Sequence, residues 1–366
     1  MKFTCTQENL LRGVSQVTPI AGRNSQLPIL QNILLVAQNN SLSLTTTDLE
    51  IGVKTIVGGK VEDEGGCALP AKRFLEYVQQ LPKSNPVVIE KKDNKVFVST
   101  KGFRAQFLSA DPEEYPLLPE NVKGETITVP SNRFCGAIGQ TIFSATREET
   151  RPDIRSVYIA WREGKLYVAA TDSFRLAEYV LQLASGVEFS VILPLASAQE
   201  VVRLFSGAGD IQVVLHDNYV LFSGGGVEFT SRLVDGQYPK YEDIIPTTHT
   251  THITVQRSEF LRALKTLSVF LPKESRRVSL AIRPEQGQVI ARVAGGETGE
   301  GEVILDIEGD GEDIDVLINI QYLLDGITHL SGDVCQGFLS GVSDPVVFRR
   351  HGESDVYTYV VMPIQA

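Results

Sequence analysis

Leu42-Ser43-Leu44-Thr45-Thr46-Thr47-Asp48 returns 124 residues later as Leu166-Tyr167-Val168-Ala169-Ala170-Thr171-Asp172. The same offset carries Leu69-Pro70 onto Leu193-Pro194, Asp93-Asn94 onto Asp217-Asn218, and Asp111 onto Asp235. Because 42% of the chain is hydrophobic, matched apolar residues weigh little, and the matched Thr-Asp, Leu-Pro and Asp-Asn pairs decide the reading. A more diverged copy starts 126 residues further on, where Ile127-Thr128-Val129 and Phe134 align with Ile253-Thr254-Val255 and Phe260. The chain reads as three similar domains of about 120 residues, each large enough to bury its own core. Their expected bounds are 1–120, 126–247 and 251–366. The period is too long for a solenoid, whose units run about 20–50 residues.

Each copy opens with a strand, then a helix, then a series of strands. Phe3 and Cys5 alternate ahead of a helical pattern through Leu10, Leu11, Val14 and Val17. Ile127, Val129, Phe134, Ala137 and Ile138 repeat it, as do Ile253, Val255, Phe260, Leu261 and Leu264. A second helix follows in every copy, at Phe74–Val78, at Val201, Val202 and Phe205, and at Tyr322, Leu323 and Leu324. Hairpins are expected around Asp93-Asn94 and Asp217-Asn218, and junctions at Pro116–Glu125 and Pro246–Thr251. Strands outnumber helices roughly two to one in this reading, which makes the class α+β with mostly antiparallel sheet.

Composition removes several functions. No apolar run approaches the ~20 residues of a membrane span, and no signal-peptide pattern opens the chain, so a cytoplasmic protein is expected. Cys5, Cys67, Cys135 and Cys335 form no close pair, which excludes a CxxC motif and fits a reducing compartment. The net charge of −11 argues against electrostatic wrapping of nucleic acid, although a local basic surface stays compatible with it.

The search for chemistry is negative. His249 and His252 have i,i+3 spacing but lie in a Thr-rich junction with no third ligand, so a solvated linker is the better reading. Gly224-Gly225-Gly226 lacks the Lys-Ser/Thr of a phosphate loop and reads as a hairpin turn, and Gly207-Ala208-Gly209 is an equally weak match to a dinucleotide loop. Asp48, Glu50 and Asp172 could be imagined on magnesium, yet an Asp between strand and turn more often holds backbone N–H groups. No metal and no cofactor are expected.

Several motifs, in order, resemble those of the bacterial sliding clamp family, the beta subunits of DNA polymerase III. They are Leu27-Pro28-Ile29-Leu30-x-Asn32, Leu42–Glu50, Thr171-Asp172-Ser173-Phe174-Arg175-Leu176-Ala177 and the ending Tyr359-Val360-Val361-Met362-Pro363. The resemblance runs from Met1 to Ala366 and implies the DNA clamp fold: three similar domains, each with two helices and antiparallel sheets. It further implies a ring-forming head-to-tail homodimer whose helices line a hole for duplex DNA. A ring retains DNA topologically, which accommodates the acidic charge.

By the same resemblance Arg23, Asn24, Lys72, Arg73, Arg147 and Arg151 approach DNA, with Lys273, Arg276 and Arg277 as further candidates. Leu195-Ala196-Ser197-Ala198 lacks basic residues found in some relatives, and Pro152-Asp153 replaces an aromatic pair, which weakens the implied DNA contact there. A partner-peptide pocket is implied at Ile154, Thr171, Arg175, Leu176, Pro239, Ile244, Val346, Val360, Met362, Pro363 and Ile364. Aliphatic walls with a Met suit a short peptide with Leu and Phe anchors, as polymerase, clamp-loader and repair proteins would present. The competing reading of Ile154 and Leu176 is plain core. Ser173-Phe174 and Gln365-Ala366 depart from the common Gly-His and basic ending, which bears on partner preference. At the dimer interface Phe103, Arg104 and Phe107 would meet Val269 and Phe270, with Glu297, Glu300 and Glu302 opposite Lys72 or Arg73.

The leading expectation is a non-catalytic processivity clamp. A repeat-built enzyme would need a titratable cluster at a domain junction, and the sequence offers none. A clamp-fold interaction scaffold that does not encircle DNA is the alternative.

Overall fold

The repeat in the sequence reappears element by element. In the computed structural model, which describes all residues except 24–26, 120–123, 184–186, 273–275, 295–298, 352–354 and 366, strands Asn32–Gln38, Ser41–Thr47 and Ile51–Gly58 recur 124 residues later as Ser156–Arg162, Lys165–Thr171 and Arg175–Gln182. Helices α1 (Gln7–Val17) and α2 (Ala71–Gln80) return as α3 (Ser131–Thr141) and α4 (Leu195–Phe205). The third copy supplies α5 (Arg257–Ser268) and α6 (Ile320–His329).

The helices form where the sequence places caps and apolar stripes. The Thr6 hydroxyl accepts the Asn9 N–H at the start of α1, and Leu10, Val14 and Val17 bury one face at helical spacing. Within a copy the two helices are tied start to end. Gln7 donates from Nε2 to the Val78 carbonyl at 2.8 Å. Arg257, at the same repeat position, donates to the Ile327 and Thr328 carbonyls at 2.9 and 2.8 Å. Donors at a helix C-terminus satisfy carbonyls that have no partner inside the helix.

Every strand pair among the described residues is antiparallel. A five-stranded sheet runs Lys60–Asp63, Lys2–Thr6, Pro86–Lys92, Lys95–Thr100, Phe103–Leu108. An eight-stranded sheet joins Val227–Arg232 to Ile51–Gly58, so second-copy strands continue a first-copy sheet. A twelve-stranded sheet does the same through Arg175–Gln182 and Asp355–Val361, with Arg175 opposite Val361 and Leu181 opposite Asp355. The chain accordingly packs as two compact units, Met1–Asn132 with Arg203–Leu233, and Arg133–Val202 with Val234–Ala366. Each sheet lies inside one unit, and the second copy gives a sheet to each.

The expected two-to-one ratio of strands to helices is too low. Among the described residues there are 25 strands and six α-helices. Part of the shortfall lies in strands such as Lys60–Asp63, which is exposed or half-exposed along its length and carries no period-2 apolar signal. Gly224-Gly225-Gly226 is the expected hairpin turn, with Gly225 and Gly226 at φ 57° and 79° between paired strands.

Close packing gives two helical glycines opposite fates. A Cβ on Gly326 in α6 would lie 2.1 Å from the ring of Tyr359, which is fully buried and cannot retreat. A Cβ on Gly136 in α3 would meet nothing within 4 Å. Gly326→Val should cost about 1–3 kcal/mol of stability, whereas Gly136→Ala should add about 0.5–1 kcal/mol. Thermal unfolding of the two variants checks both signs.

Candidate functional site

The Thr-Asp pair closes the same turn in two copies. Thr171 Oγ1 donates to the Arg175 carbonyl at 2.7 Å and accepts the Ser173 N–H at 3.2 Å. Asp172 Oδ1 accepts the N–H groups of Phe174 and Arg175, each at 3.0 Å. In the first copy Thr47 bonds Ile51 and Leu49, and Asp48 Oδ1 accepts Glu50 and Ile51 N–H at 3.0 and 2.7 Å. Both turns hold a non-glycine residue in the left-handed region, Leu49 at φ 78° and Ser173 at φ 76°. These carboxylates face backbone donors, the structural role expected of them.

The copies part at the last residue of the turn, Ile51 in one and Arg175 in the other. The Arg175 side chain, 11% exposed, bonds Asp172 Oδ2 from Nε at 2.9 Å and Asp325 Oδ2 at 2.6 Å. A third donor reaches the Phe143 carbonyl at 2.9 Å, and the guanidinium lies 4.5 Å from the Tyr322 ring centre. Burial by itself disfavours its charge, but Tyr359, Asp325 and Asp172 together more than compensate and the pKa rises above the usual arginine value. Asp325 also accepts Gln321 Nε2 at 2.7 Å, which fixes it on α6. Arg175 thereby locks the turn against α6.

One residue on, Leu176 faces the other side of the strand and pairs across the sheet with Thr171 and Val360. It forms a buried cluster with Ala169, Tyr241, Val347 and Val360, and Tyr158, Tyr238, Ile245 and Phe338 pack against it. Tyr241 opens the short 3-10 turn Tyr241–Ile244 and is its buried residue. Its hydroxyl donates to Glu178 Oε2 at 2.9 Å. Burial pushes the Glu178 carboxyl above the usual carboxylate range, while the Tyr241 hydrogen bond and the Arg162 and Arg349 charges pull it back. Glu242 of the same turn meets Arg162 at 2.6 Å, and that guanidinium stacks over Tyr167.

The sequence-derived pocket residues divide into a floor and a rim. Ile154, Thr171, Leu176, Val346, Val360 and Pro363 are buried, so they can offer a floor. Pro239 and Ile244 are exposed, Met362 and Ile364 half-buried, and Phe174 60% exposed. Met362 N–H bonds the Phe174 carbonyl at 2.8 Å, bringing the chain ending onto the Thr-Asp turn, and Ile364 N–H bonds the Leu317 carbonyl at 2.7 Å. Sequence alone assigns no site role to Asp325, Phe143 or Glu178, and to Tyr322 only a place in a helix. The available signals were single charges inside apolar runs, Glu178 within Leu176–Leu181 and Asp325 within Tyr322–Ile327.

The basic candidates are dispersed. Arg23 donates to the Pro19 carbonyl at 2.9 Å, and Lys72 and Arg73 are exposed on α2. Arg147 is exposed, while Arg151 bonds Ser173 Oγ at 3.0 Å and so supports the Thr-Asp turn. Arg276 accepts the first N–H of α6 through its carbonyl, and exposed Arg277 lines a groove with Arg292, Glu300 and Glu302. Asn24, Lys273, Glu297 and Ala366 lie outside the described residues. The solvated-linker reading holds for His249, which is exposed although its ring lies 4.6 Å from that of Phe338, and is corrected for His252, which is half-buried in the strand Thr251–Gln256, stacks on Phe338 at 4.8 Å and faces Asp310. An aromatic neighbour 86 residues away cannot be seen in local composition.

Three copies of one domain, each with two helices and antiparallel sheets continued from copy to copy, define the DNA clamp class. Family models of the DNA polymerase III beta subunit match in order: the N-terminal domain over residues 1–119, the central domain over 128–240 and the C-terminal domain over 242–365. The chain belongs to that family, the bacterial sliding clamps. It is 29% identical to the beta sliding clamp of Synechococcus elongatus, covering all of this chain and 99% of the relative. With the beta sliding clamp of Bacillus subtilis it shares 28% over the full length of both. The crystal structure of the DNA polymerase III beta subunit from Pseudomonas aeruginosa superposes with a TM-score of 0.94 at 25% identity, over all of both chains. The griselimycin-bound clamp from Bartonella birtlesii superposes with a TM-score of 0.95 at 27% identity, again over all of both chains. As a member of this family the chain is a non-catalytic processivity subunit. No helix of the described residues is long and apolar enough to cross a membrane.

Two predictions come from the buried charges. Arg175→Ala strands two carboxylates and should cost on the order of 3 kcal/mol in urea unfolding. Arg175→Lys should recover little of it, because an ammonium cannot serve three fixed acceptors in a plane. For Glu178 the folded pKa is raised, so the folded state holds the proton more tightly than the unfolded chain does. Stability is then lost as pH rises from the unfolded carboxyl pKa through the folded one. Glu178→Gln should therefore raise the melting temperature at neutral pH, with the gain vanishing in acid; a pH series of melts measures it.

Proposed function

We propose that two copies of this chain close head to tail into a ring around duplex DNA, each presenting the Thr171–Arg175 groove to replication and repair proteins. The observation that carries this reading is a pair of strand edges. In the first and second copies the fourth strand, Ile51–Gly58 or Arg175–Gln182, pairs on one side with the last strand of the following copy. The corresponding third-copy strand is Glu300–Gly311. Its first half pairs with Gln288–Ala294, its second half with Thr251–Gln256, and its first half has no strand on the other side among the described residues. The first copy's last strand, Phe103–Leu108, ends its sheet. Each chain thus carries both halves of one further joint, and two chains satisfy both by a two-fold, closed arrangement.

The residues along those edges suit each other. The Val227-to-Thr55 register, carried over along the matching rows Val168–Tyr179 and Ala291–Val303, puts Phe103, 48% exposed, opposite half-buried Val303 and beside Ile304, 54% exposed. Val269 is 79% exposed, and Phe270 lies over Gly301 of the free edge. Glu300 and Glu302 are exposed there, as complements to Lys72 or Arg73. Arg104 stacks over Phe97 at 4.7 Å, beside Phe103.

Three domains, 1–120, 126–247 and 251–366, would then give six around the hole. Arg23, Lys72, Arg73 and Arg147 are the cations best exposed to meet phosphate, while Arg151 and Arg277 have protein-side roles in a turn and a groove. Weak contacts suit a ring, because closure and not affinity retains DNA. Pro239, Ile244, Met362 and Ile364 form the rim that a short peptide with Leu and Phe anchors would meet, from a polymerase, a clamp loader or a repair protein.

The mass in solution should be twice the 40.2 kDa of one chain. Phe103→Asp combined with Arg104→Glu should give single chains at nanomolar concentration; a dimer persisting there counts against the joint. Phe107 is a poorer probe, because it packs on Phe74 and Tyr77 at 5.9 and 5.8 Å and its loss would also loosen α2. Loaded onto nicked circular DNA, the protein should be retained and then lost on linearisation. Equal retention on both forms would favour a scaffold that does not encircle DNA.

A further inference from the structure

One carboxylate lies on the apolar face beneath the groove rim. Glu178 follows Leu176 by two residues and so shares its side of the strand, with Ala169 and Thr358 as cross-strand neighbours. It is 9% exposed, and Tyr241, which donates to it, is 2% exposed. A carboxylate among such side chains is costly to bury even with one hydrogen bond and the Arg162 and Arg349 charges acting on it, so its place there calls for a role that packing does not supply.

What it holds is the rim. Of the four residues in the turn Tyr241–Ile244, only Tyr241 is buried, and its ring and hydroxyl seat the turn, with Tyr238 before it and Ile245 after it packed on the same cluster. Tyr241 N–H bonds the Pro239 carbonyl at 2.7 Å, and Ile245 N–H bonds the Glu242 carbonyl at 3.2 Å, which ties both rim residues to the same seat. The second tether, Arg162 to Glu242, joins two side chains each 39% exposed and is correspondingly weak.

We infer that Glu178 is a positioning residue for peptide capture, fixing Pro239 and Ile244 as a rigid groove wall through Tyr241. This rests on the groove reading above. A wall already in place spares a bound peptide the cost of ordering it, and loosening it should shorten the lifetime of the complex.

The test uses the full-length chain and a labelled synthetic peptide with Leu and Phe anchors, reading Kd and dissociation rate. Glu178→Ala should weaken binding about tenfold, chiefly by faster dissociation. Tyr241→Phe should do the same, and the double variant should be no weaker than either single change, since both break one bond. Glu178→Gln keeps a carbonyl acceptor for the Tyr241 hydroxyl and should restore affinity to within about twofold. The dimer mass should not move in any of them. Ile244→Asp, a direct change to the wall, should abolish binding. If Ile244→Asp abolishes binding while Glu178→Ala and Tyr241→Phe leave Kd and dissociation unchanged, the positioning role is wrong and the groove stands. Additive effects in the double variant, or no rescue by Gln, also overturn it. If Ile244→Asp leaves binding intact, the groove reading and this inference fall together. Should Glu178→Ala fail to fold, Tyr241→Phe decides alone, because it removes only a hydroxyl.

Discussion

Strand edges are the constraint on which this structure depends. A buried backbone N–H or carbonyl left without a partner is costly, and an open edge invites pairing with whatever strand comes near. Here the last strand of the second and third copies fills the edge of the fourth strand in the copy before. Two such joints turn three similar domains into two compact units, because the second copy commits one sheet to the first-copy strands and the other to the third-copy strands. A repeat built this way leaves one half-joint at each end of the chain. The ring we propose extends to a second chain the same rule that joins the copies.

The constraint also explains which residues stay alike and which diverge. Positions that make the joint or turn the chain keep their chemistry: Thr-Asp bonds the backbone identically in two copies. Other positions change their side chains even where they are buried, as Gln7 and Ile51 are. At the start of the first helix Gln7 and Arg257 both reach the carbonyls of the second, although one is neutral and the other charged. Ser131, at the same position in the second copy, is too short for that reach; its N–H bonds Gly209 instead, and neighbouring Asn132 accepts the Gly207 N–H. Ile51 becomes Arg175, and a plain turn becomes one locked to α6.

Much of the fold was legible because repetition multiplies weak local signals. The Thr-Asp, Leu-Pro and Asp-Asn pairs gave the register of the first two copies to the residue, and the helices followed from Leu10, Val14 and their counterparts. Strands such as Lys60–Asp63 escaped because no face is covered and no alternation arises. The site was legible only in part. Leu176 and Val360 sit in one cluster through strands 184 residues apart, and nothing local says whether an apolar residue is floor or rim. The same limit hid the partners of Arg175, since Asp325 comes from a helix in another copy. His252 reads as solvated because nothing local signals Phe338, on which it stacks.

Buried charges in this molecule are of a kind that elsewhere would mark a catalytic centre. Arg175 is nearly enclosed with two carboxylates, and Glu178 is shifted upward by burial against a tyrosine. What separates the Arg175 cluster from an active site is saturation. Both oxygens of Asp172 are taken, one by backbone and one by Arg175, and three donors of Arg175 have protein acceptors. A group that must accept or release a proton from a substrate needs an unfilled valence pointing into open space. These groups point into the protein, and their energy goes into holding a turn against a helix and a rim against a strand. Rigid placement of that kind serves a protein that does no chemistry and must instead offer a fixed surface.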